Sequence, residues 1–293
     1  RVLLSCRRYL RVARARLQSM SGPVGGSDSV CPVQSISELG MGPPSYCSAA
    51  ASELIPIRGS VAELYTVQPL PDASVPLLFA EARAQPLTFH GGAHFQRRWE
   101  ALTHSLFKKL RSWGNVVVAG GAVLRCMECA GAEEVAGSSS YATGDVDVFL
   151  YGLSQEAGLE KVGQVVRALC KQLRRAGEEE VVVVRTAYTL SIKASPRYPK
   201  VQVVLALHPS LYAVVDRFDV DCCCVVWDGE QVLGHPRAIK ALSTRINDVR
   251  EENLGSQFEV RLHKYTQRGF AVAVPQLQRD RIDEGIYTEP LFS

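Results

Sequence analysis

VVVAGG, Val116 to Gly121, continues into AVLRCM and then, past a polar stretch rich in Gly and Ser, into GDVDVFLYG, Gly144 to Gly152. The first piece is a β-branched run closed by two glycines and followed by an apolar-periodic segment, so it reads as strand, tight turn, helix. Glycines at such a joint let the backbone pass close to a ligand. The free N–H groups of the new helix then face that ligand with the positive end of the dipole. Gly120 and Gly121 are thereby candidates for a phosphate cradle, with a purely structural turn as the alternative. In the second piece Asp145 and Asp147 stand two apart on a strand, so both carboxylates project from one face, about 6 to 7 Å apart along the chain. Val146, Val148, Phe149 and Leu150 make the rest of that strand apolar, an environment in which two bare acids are costly. A divalent cation between them relieves the repulsion, and Mg²⁺ (or Mn²⁺) is the usual one, since it takes a few carboxylates and fills its shell with water and phosphate oxygens. Two solvated acids on an exposed edge strand are the alternative.

Outward from this centre, strands and helices interleave. On the N-terminal side Phe95 to Trp113 repeats Phe95, Trp99, Leu102, Leu106, Leu110 and Trp113 every three or four residues, which predicts one amphipathic helix ended by Gly114-Asn115. On the C-terminal side come a helix over Gln155 to Ala176, strand candidates in VVVVR, AYTLSIKA and VQVVLAL, and a short helix over Ser210 to Phe218. DVDCCCVVW then reads as another buried strand, and Pro236 to Arg245 and Gln257 to Arg268 as helices. The expected fold is α/β (α+β), a mixed sheet flanked by helices with a small helical C-terminal part. The expected division is a disordered, linker or targeting segment over 1–52, an irregular strap over 53–93, the α/β domain over 94–234, and a helical extension over 235–293. Glu133 to Thr143 reads as a loop.

The 293 residues carry a net charge of +3, with 46% hydrophobic and 22% charged residues. These values suit a folded protein and are too mild to imply nucleic-acid binding by themselves. Nine cysteines, three of them consecutive at Cys222 to Cys224, make no disulfide framework and point to a reducing compartment. No apolar run approaches the roughly 18 residues of a membrane span, so no membrane partner is expected and the location is intracellular, cytoplasmic or nuclear. Residues 1–19 hold six arginines and no acid. They read either as a mitochondrial transit peptide or as residues upstream of a true start at Met20.

The AGGAVLRCM turn followed by the strand GDVDVFLYG resembles the nucleotidyltransferase superfamily, which pairs a Gly-Gly or Gly-Ser turn with an Asp-x-Asp strand. More narrowly, WGNVVVAGGAVL, DVDVFLYGL, VQVVLAL, FDVDCCCVVWDG, PRAIKAL and HKYTQRGF, between about Phe95 and Pro275, look like an uncharacterised group of nucleotidyltransferase-like proteins of fungi, protists and giant viruses. The resemblance implies Mg²⁺-dependent transfer of a nucleoside monophosphate from a nucleoside triphosphate to a hydroxyl of RNA, protein or a small molecule. Gly120, Gly121 and the following helix would hold the phosphates. Asp145 and Asp147 would bind two ions that clamp the attacking and leaving oxygens. A third carboxylate normally completes the site, and here its place is open: VQVVLAL presents Gln202, which is neither an anionic ligand nor a base. Asp219 and Asp221 form a second Asp-x-Asp that could supply the missing ligand, Asp221 being slightly favoured, although Asp219 could equally cap a turn. With Gln202 in the third place the chain becomes a catalytically degenerate module that binds nucleotide or a partner.

Other candidates weigh less. Cys126 and Cys129 form a lone C-x-x-C without two further ligands. Arg261, Lys264 and Arg268 make one stripe of the last helix, which tracks a phosphate backbone or is simply a solvated face. Lys193 and Arg197 could reach a triphosphate from a loop. No G-x-G-x-x-G opens the helix, which disfavours a dinucleotide site.

Overall fold

Every residue that the computed structural model describes (53–64, 75–84, 87–129, 144–255 and 257–277) belongs to one unit, Glu53–Leu277. The N-terminal segment over 1–52, the loop over 133–143 and part of the strap lie outside the described residues. The centre is an eight-stranded mixed sheet in the order β1 (Ile55–Ile57), β11 (Val232–Gly234), β10 (Val225–Trp227), β4 (Val116–Ala119), β6 (Val146–Tyr151), β9 (Val201–His208), β8 (Thr189–Lys193), β7 (Val182–Arg185). Within this sheet, among the described residues, β6 and β9 pair in parallel and the other neighbouring pairs are antiparallel. Three short strands, β12 (Ile246–Asp248), β13 (Ala271–Ala273) and β2 (Leu77–Leu78), form a second sheet, and β3 (Thr88–Phe89) pairs with β5 (Glu128–Cys129).

Helices cover the sheet. They are α1 (Val61–Leu64), α2 (Gly92–Thr103), α3 (Leu110–Trp113), α4 (Gly121–Met127), α5 (Gln155–Arg175), α6 (Leu211–Asp216), α7 (Pro236–Thr244) and α8 (Phe258–Thr266). None of those among the described residues is long and apolar enough to cross a membrane. The core sits where the pattern is most apolar: all four residues of β4 are buried, as are Val146, Val148, Phe149 and Leu150 of β6.

Four elements differ from their sequence reading. The single helix expected over Phe95 to Trp113 stops at Thr103, whose hydroxyl donates to Trp99 O at 2.8 Å, and His104 turns left-handed (φ 48°, ψ 44°). Leu106, Lys108 and Leu110 then bond three residues back, to Thr103, Ser105 and Phe107. The three-to-four spacing serves this turn as well as a helix, because Phe107 still reaches Trp99, with ring centroids 5.5 Å apart. Ile55 to Ile57, expected in a strap, joins the main sheet, where Pro56 is tolerable on an outer strand. Asp221 to Cys223 is a 3₁₀ turn rather than strand, and the strand begins at Val225. The C-terminal part contains β12 and β13 besides its helices.

Candidate functional site

β4 delivers the chain to Gly120 at φ 87°, ψ −146°, a conformation open only to glycine. Its N–H donates to Val225 O at 3.0 Å and its carbonyl accepts from Leu124 at 3.1 Å, so this bend begins α4. At Gly121 an added Cβ would lie 2.9 Å from the Tyr265 hydroxyl, so α8 closes directly over the turn. Gly120→Ala is expected to cost about 1–3 kcal/mol of stability through backbone strain. A thermal melt reads it, and an unchanged midpoint would show that the bend is not required.

Beside the bend, Asp147 on β6 pairs in register with Ala119 on β4 and with Gln202 on β9. Residues so opposed share a face of the sheet, and Ser191 of β8, opposite Gln202, extends that face. With its amide nitrogen toward the acids, the orientation that gives every partner a complement, Gln202 donates to Asp145 Oδ2 at 2.9 Å and to Asp147 Oδ1 at 3.2 Å. Its oxygen accepts from Ser191 Oγ at 3.2 Å. The Lys200 ammonium lies 2.7 Å from Asp145 Oδ2. The two carboxylates are thus held side by side by one amide and one cation. Burial first, and then the neighbouring Asp145, raise the Asp147 carboxyl to about 6 against the opposing pull of Lys200 and Lys264.

Asp145, Asp147, Gly120 and Gly121 line a cavity of about 520 Å³. Among the described residues five cations share its wall, Arg125, Arg217, Arg261, Lys264 and Arg268, against three carboxylates, Asp145, Asp147 and Asp219. At seven residues α4 has a weak end-charge, so the attraction for an anion comes mainly from these side chains. The stripe on the last helix lines the cavity while Arg261 and Lys264 stay exposed to solvent: Phe258 and Leu262 are buried on α8, and Arg268, just past its end, is buried at the cavity wall. Burial lowers the Lys264 ammonium and Arg268 lowers it further, while Asp145 and Asp147 oppose that shift.

The second Asp-x-Asp divides. Asp219 is in the cavity wall and pairs with Arg261, while burial raises its carboxyl despite that partner. Asp221, favoured on sequence as the third carboxylate, does not line the cavity. It is 2% exposed, with Oδ1 accepting from Arg237 at 2.7 Å and Oδ2 accepting from the Asp248 N–H at 3.1 Å. Lys193 shares the sheet face of Ser191 but stands exposed on β8 outside the cavity. Among the described residues no group of three or more His, Cys, Asp or Glu is placed to hold a metal ion, the Cys126/Cys129 pair included. Burial pushes the Cys126 thiol up to about 12. Sequence reasoning missed Arg125 and Arg217 in the cavity, and no local spacing marks them.

An uncharacterised protein of Acanthamoeba polyphaga mimivirus is 24% identical over 190 residues, which cover 61% of this chain and 40% of that protein. The chain thus spans well under two thirds of that relative's length. No solved structure matches. Residues 94–245 match the model of the Gabija anti-defense 2 family protein, a span that holds Gly120, Asp145, Asp147, Gln202 and Asp219 and ends before the cations of α8. With more than half its length so matched, from the α2 helix to the end of α7, the chain belongs to the Gabija anti-defense 2 family.

Proposed function

We propose that this chain binds a nucleoside triphosphate in the cavity, as a module of nucleotidyltransferase type. The observation that carries the reading is the pair Asp145 and Asp147, side by side on one sheet face, next to the Gly120 bend and across from the cations of α8. Two carboxylates suit one Mg²⁺ or Mn²⁺, which completes its shell with water and phosphate oxygens. Arg261, Lys264 and Arg268 would neutralise the remaining phosphate charge. A pair of ions needs a third carboxylate in common, and Gln202 occupies the position beside the first two. An amide there neither anchors a second ion nor accepts a proton, so binding without turnover is the favoured outcome.

Transfer of a nucleoside monophosphate to a hydroxyl of RNA, protein or a small molecule is the second reading. Asp219 supports it, as the remaining carboxylate of the same cavity wall. The family description speaks of anti-defence, and either activity would serve that role through a nucleotide, by withholding it or by attaching it to a target.

Calorimetric titration of the full chain with each nucleoside triphosphate in Mg²⁺ tests the proposal. Asp145→Asn/Asp147→Asn is expected to lose at least about tenfold in affinity, since it removes both anionic ligands. Equal affinity in the two proteins overturns the reading. Label from an α-phosphate that enters a product with the wild type and not with the double variant moves the conclusion to transfer.

A further inference from the structure

Among the described residues no strand pairs with the outer edge of β7. Val182, Val183 and Val184 are 43%, 42% and 52% exposed, a row of β-branched side chains in water at the edge of the main sheet. Proteins usually blunt such an edge with Lys, Pro, a bulge or a cover, because its free N–H and C=O groups template another strand. The opposite edge follows the rule, with a three-residue β1 that carries Pro56. Val181 to Val184 carry none of these devices.

Hydrogen bonding fixes which groups of β7 face outward. Thr186 N–H donates to Thr189 O, and Leu205 N–H donates to Tyr188 O. By the alternation of antiparallel ladders, Val184 and Val182 then bond inward to Ser191 and Lys193. Ser191 and Lys193 are also the residues of β8 that do not bond to β9, so the two observations agree. Val181, Val183 and Arg185 therefore point their N–H and C=O groups away from the sheet.

We propose that β7 pairs antiparallel with β7 of a second copy of this chain, across a two-fold axis at Val183. Directly opposed residues in such a ladder must both face outward, and this register satisfies that condition. Val183 meets Val183 of the partner subunit, and Val181 meets Arg185 of the partner subunit. All outward groups of the three residues on each chain are then bonded. Charge supports a second copy as the occupant. Glu179 precedes the valines and Arg185 follows them, both are exposed, and neither makes an ion pair among the described residues. Glu179 stands in the bend just ahead of β7, so antiparallel self-pairing brings the Arg185 end of each strand toward the acidic Glu179 end of its partner, opposite in sign. Because the axis runs perpendicular to the sheet, the two acidic faces open on the same side, seven strand spacings or roughly 34 Å apart. A ladder this short buries less than a standard interface, so association is concentration-dependent in the micromolar range.

Sedimentation velocity of the full chain tests the pairing and is independent of any nucleotide. A dimer is expected at about 100 µM, dissociating on dilution. Val183→Pro removes one outward N–H, which no hydrogen bond among the described residues uses, and is expected to give a monomer with an unchanged melting temperature. Arg185→Glu is expected to weaken the dimer about tenfold, and Glu179→Arg added to it restores the affinity. A wild-type monomer at that concentration overturns the proposal. So does a dimer that both Val183→Pro and Arg185→Glu leave intact, and so does concentration-independent protection of the Val181 to Arg185 amides in a monomer, which would mean that the chain covers its own edge.

Discussion

Asp147→Asn is expected to stabilise the metal-free protein at about pH 7.5 by about 2–3 kcal/mol, which for a chain of this size is a rise of roughly 5–10 °C in midpoint. Burial raises the Asp147 carboxyl from 3.8 to about 6 in the folded chain. The folded state therefore holds its proton more tightly than the unfolded state does. That preference stabilises the wild type fully below about pH 4 and is lost as pH rises through about 6. Asparagine does not titrate and can still accept from Gln202, so the gain of the variant over the wild type grows between pH 4 and about 6.5 and is level on either side. Mg²⁺ with a nucleoside triphosphate acts in the opposite sense, because it binds the ionised pair and stabilises only the wild type. Melts of both proteins across pH, with and without Mg²⁺ and nucleotide, read all of this. A variant that is less stable than the wild type at neutral pH, or a difference indifferent to pH, means that Asp147 is satisfied without a cation.

The same arithmetic explains why the sequence was legible at this point. Two acids in an apolar strand are a local conflict, and local conflicts collect at functional sites because packing alone does not retain them. The Gly-Gly bend and Asp-x-Asp strand needed only a period of two and a glycine φ to be recognised. Gln202 was legible only through the resemblance, which expects an acid on that strand; that it falls opposite Asp147 depends on the pairing of β9 with β6. Arg125 and Arg217 were not legible, because their membership in the cavity depends on where α4 and the segment after α6 come to rest. The stripe Arg261, Lys264, Arg268 was visible as a stripe. Its direction depended on which face of α8 the fold buries, and that is decided by contacts such as Tyr265 against Gly121, far apart in the chain. Asp221 to Cys223 shows the same limit. The run has the composition of a buried strand, yet Cys222 N–H donates to Asn247 Oδ1 at 2.8 Å and Arg237 takes Asp221, so distant partners select a turn.

Arg237→Ala is expected to lower stability by about 3 kcal/mol, the lower end of the usual cost of breaking a buried ion pair, because Arg250 Nε remains 3.6 Å from Asp221 Oδ1 as a second counter-charge. Arg237 is 9% exposed and does more than meet Asp221 at 2.7 Å. Its guanidinium also donates to Val215 O at 3.3 Å, Asp216 O at 2.6 Å and Phe218 O at 3.2 Å, so it gathers the end of α6 and the following segment onto the start of α7. That segment places Phe218 and Asp219 in the cavity wall. The variant is thus expected to bind nucleotide more weakly at temperatures where it is still folded. Asp221→Asn separates anchoring from ion binding. Its neutral amide oxygen still accepts from Arg237, so the expected loss of stability is smaller, about 1–3 kcal/mol, with metal-dependent nucleotide affinity unchanged in the folded protein. Chemical denaturation gives the first quantity and calorimetric titration the second. Should Asp221→Asn abolish Mg²⁺-dependent binding while leaving the denaturation midpoint in place, Asp221 is a ligand of the ion, and the wall of the cavity must then close differently when the ion is bound.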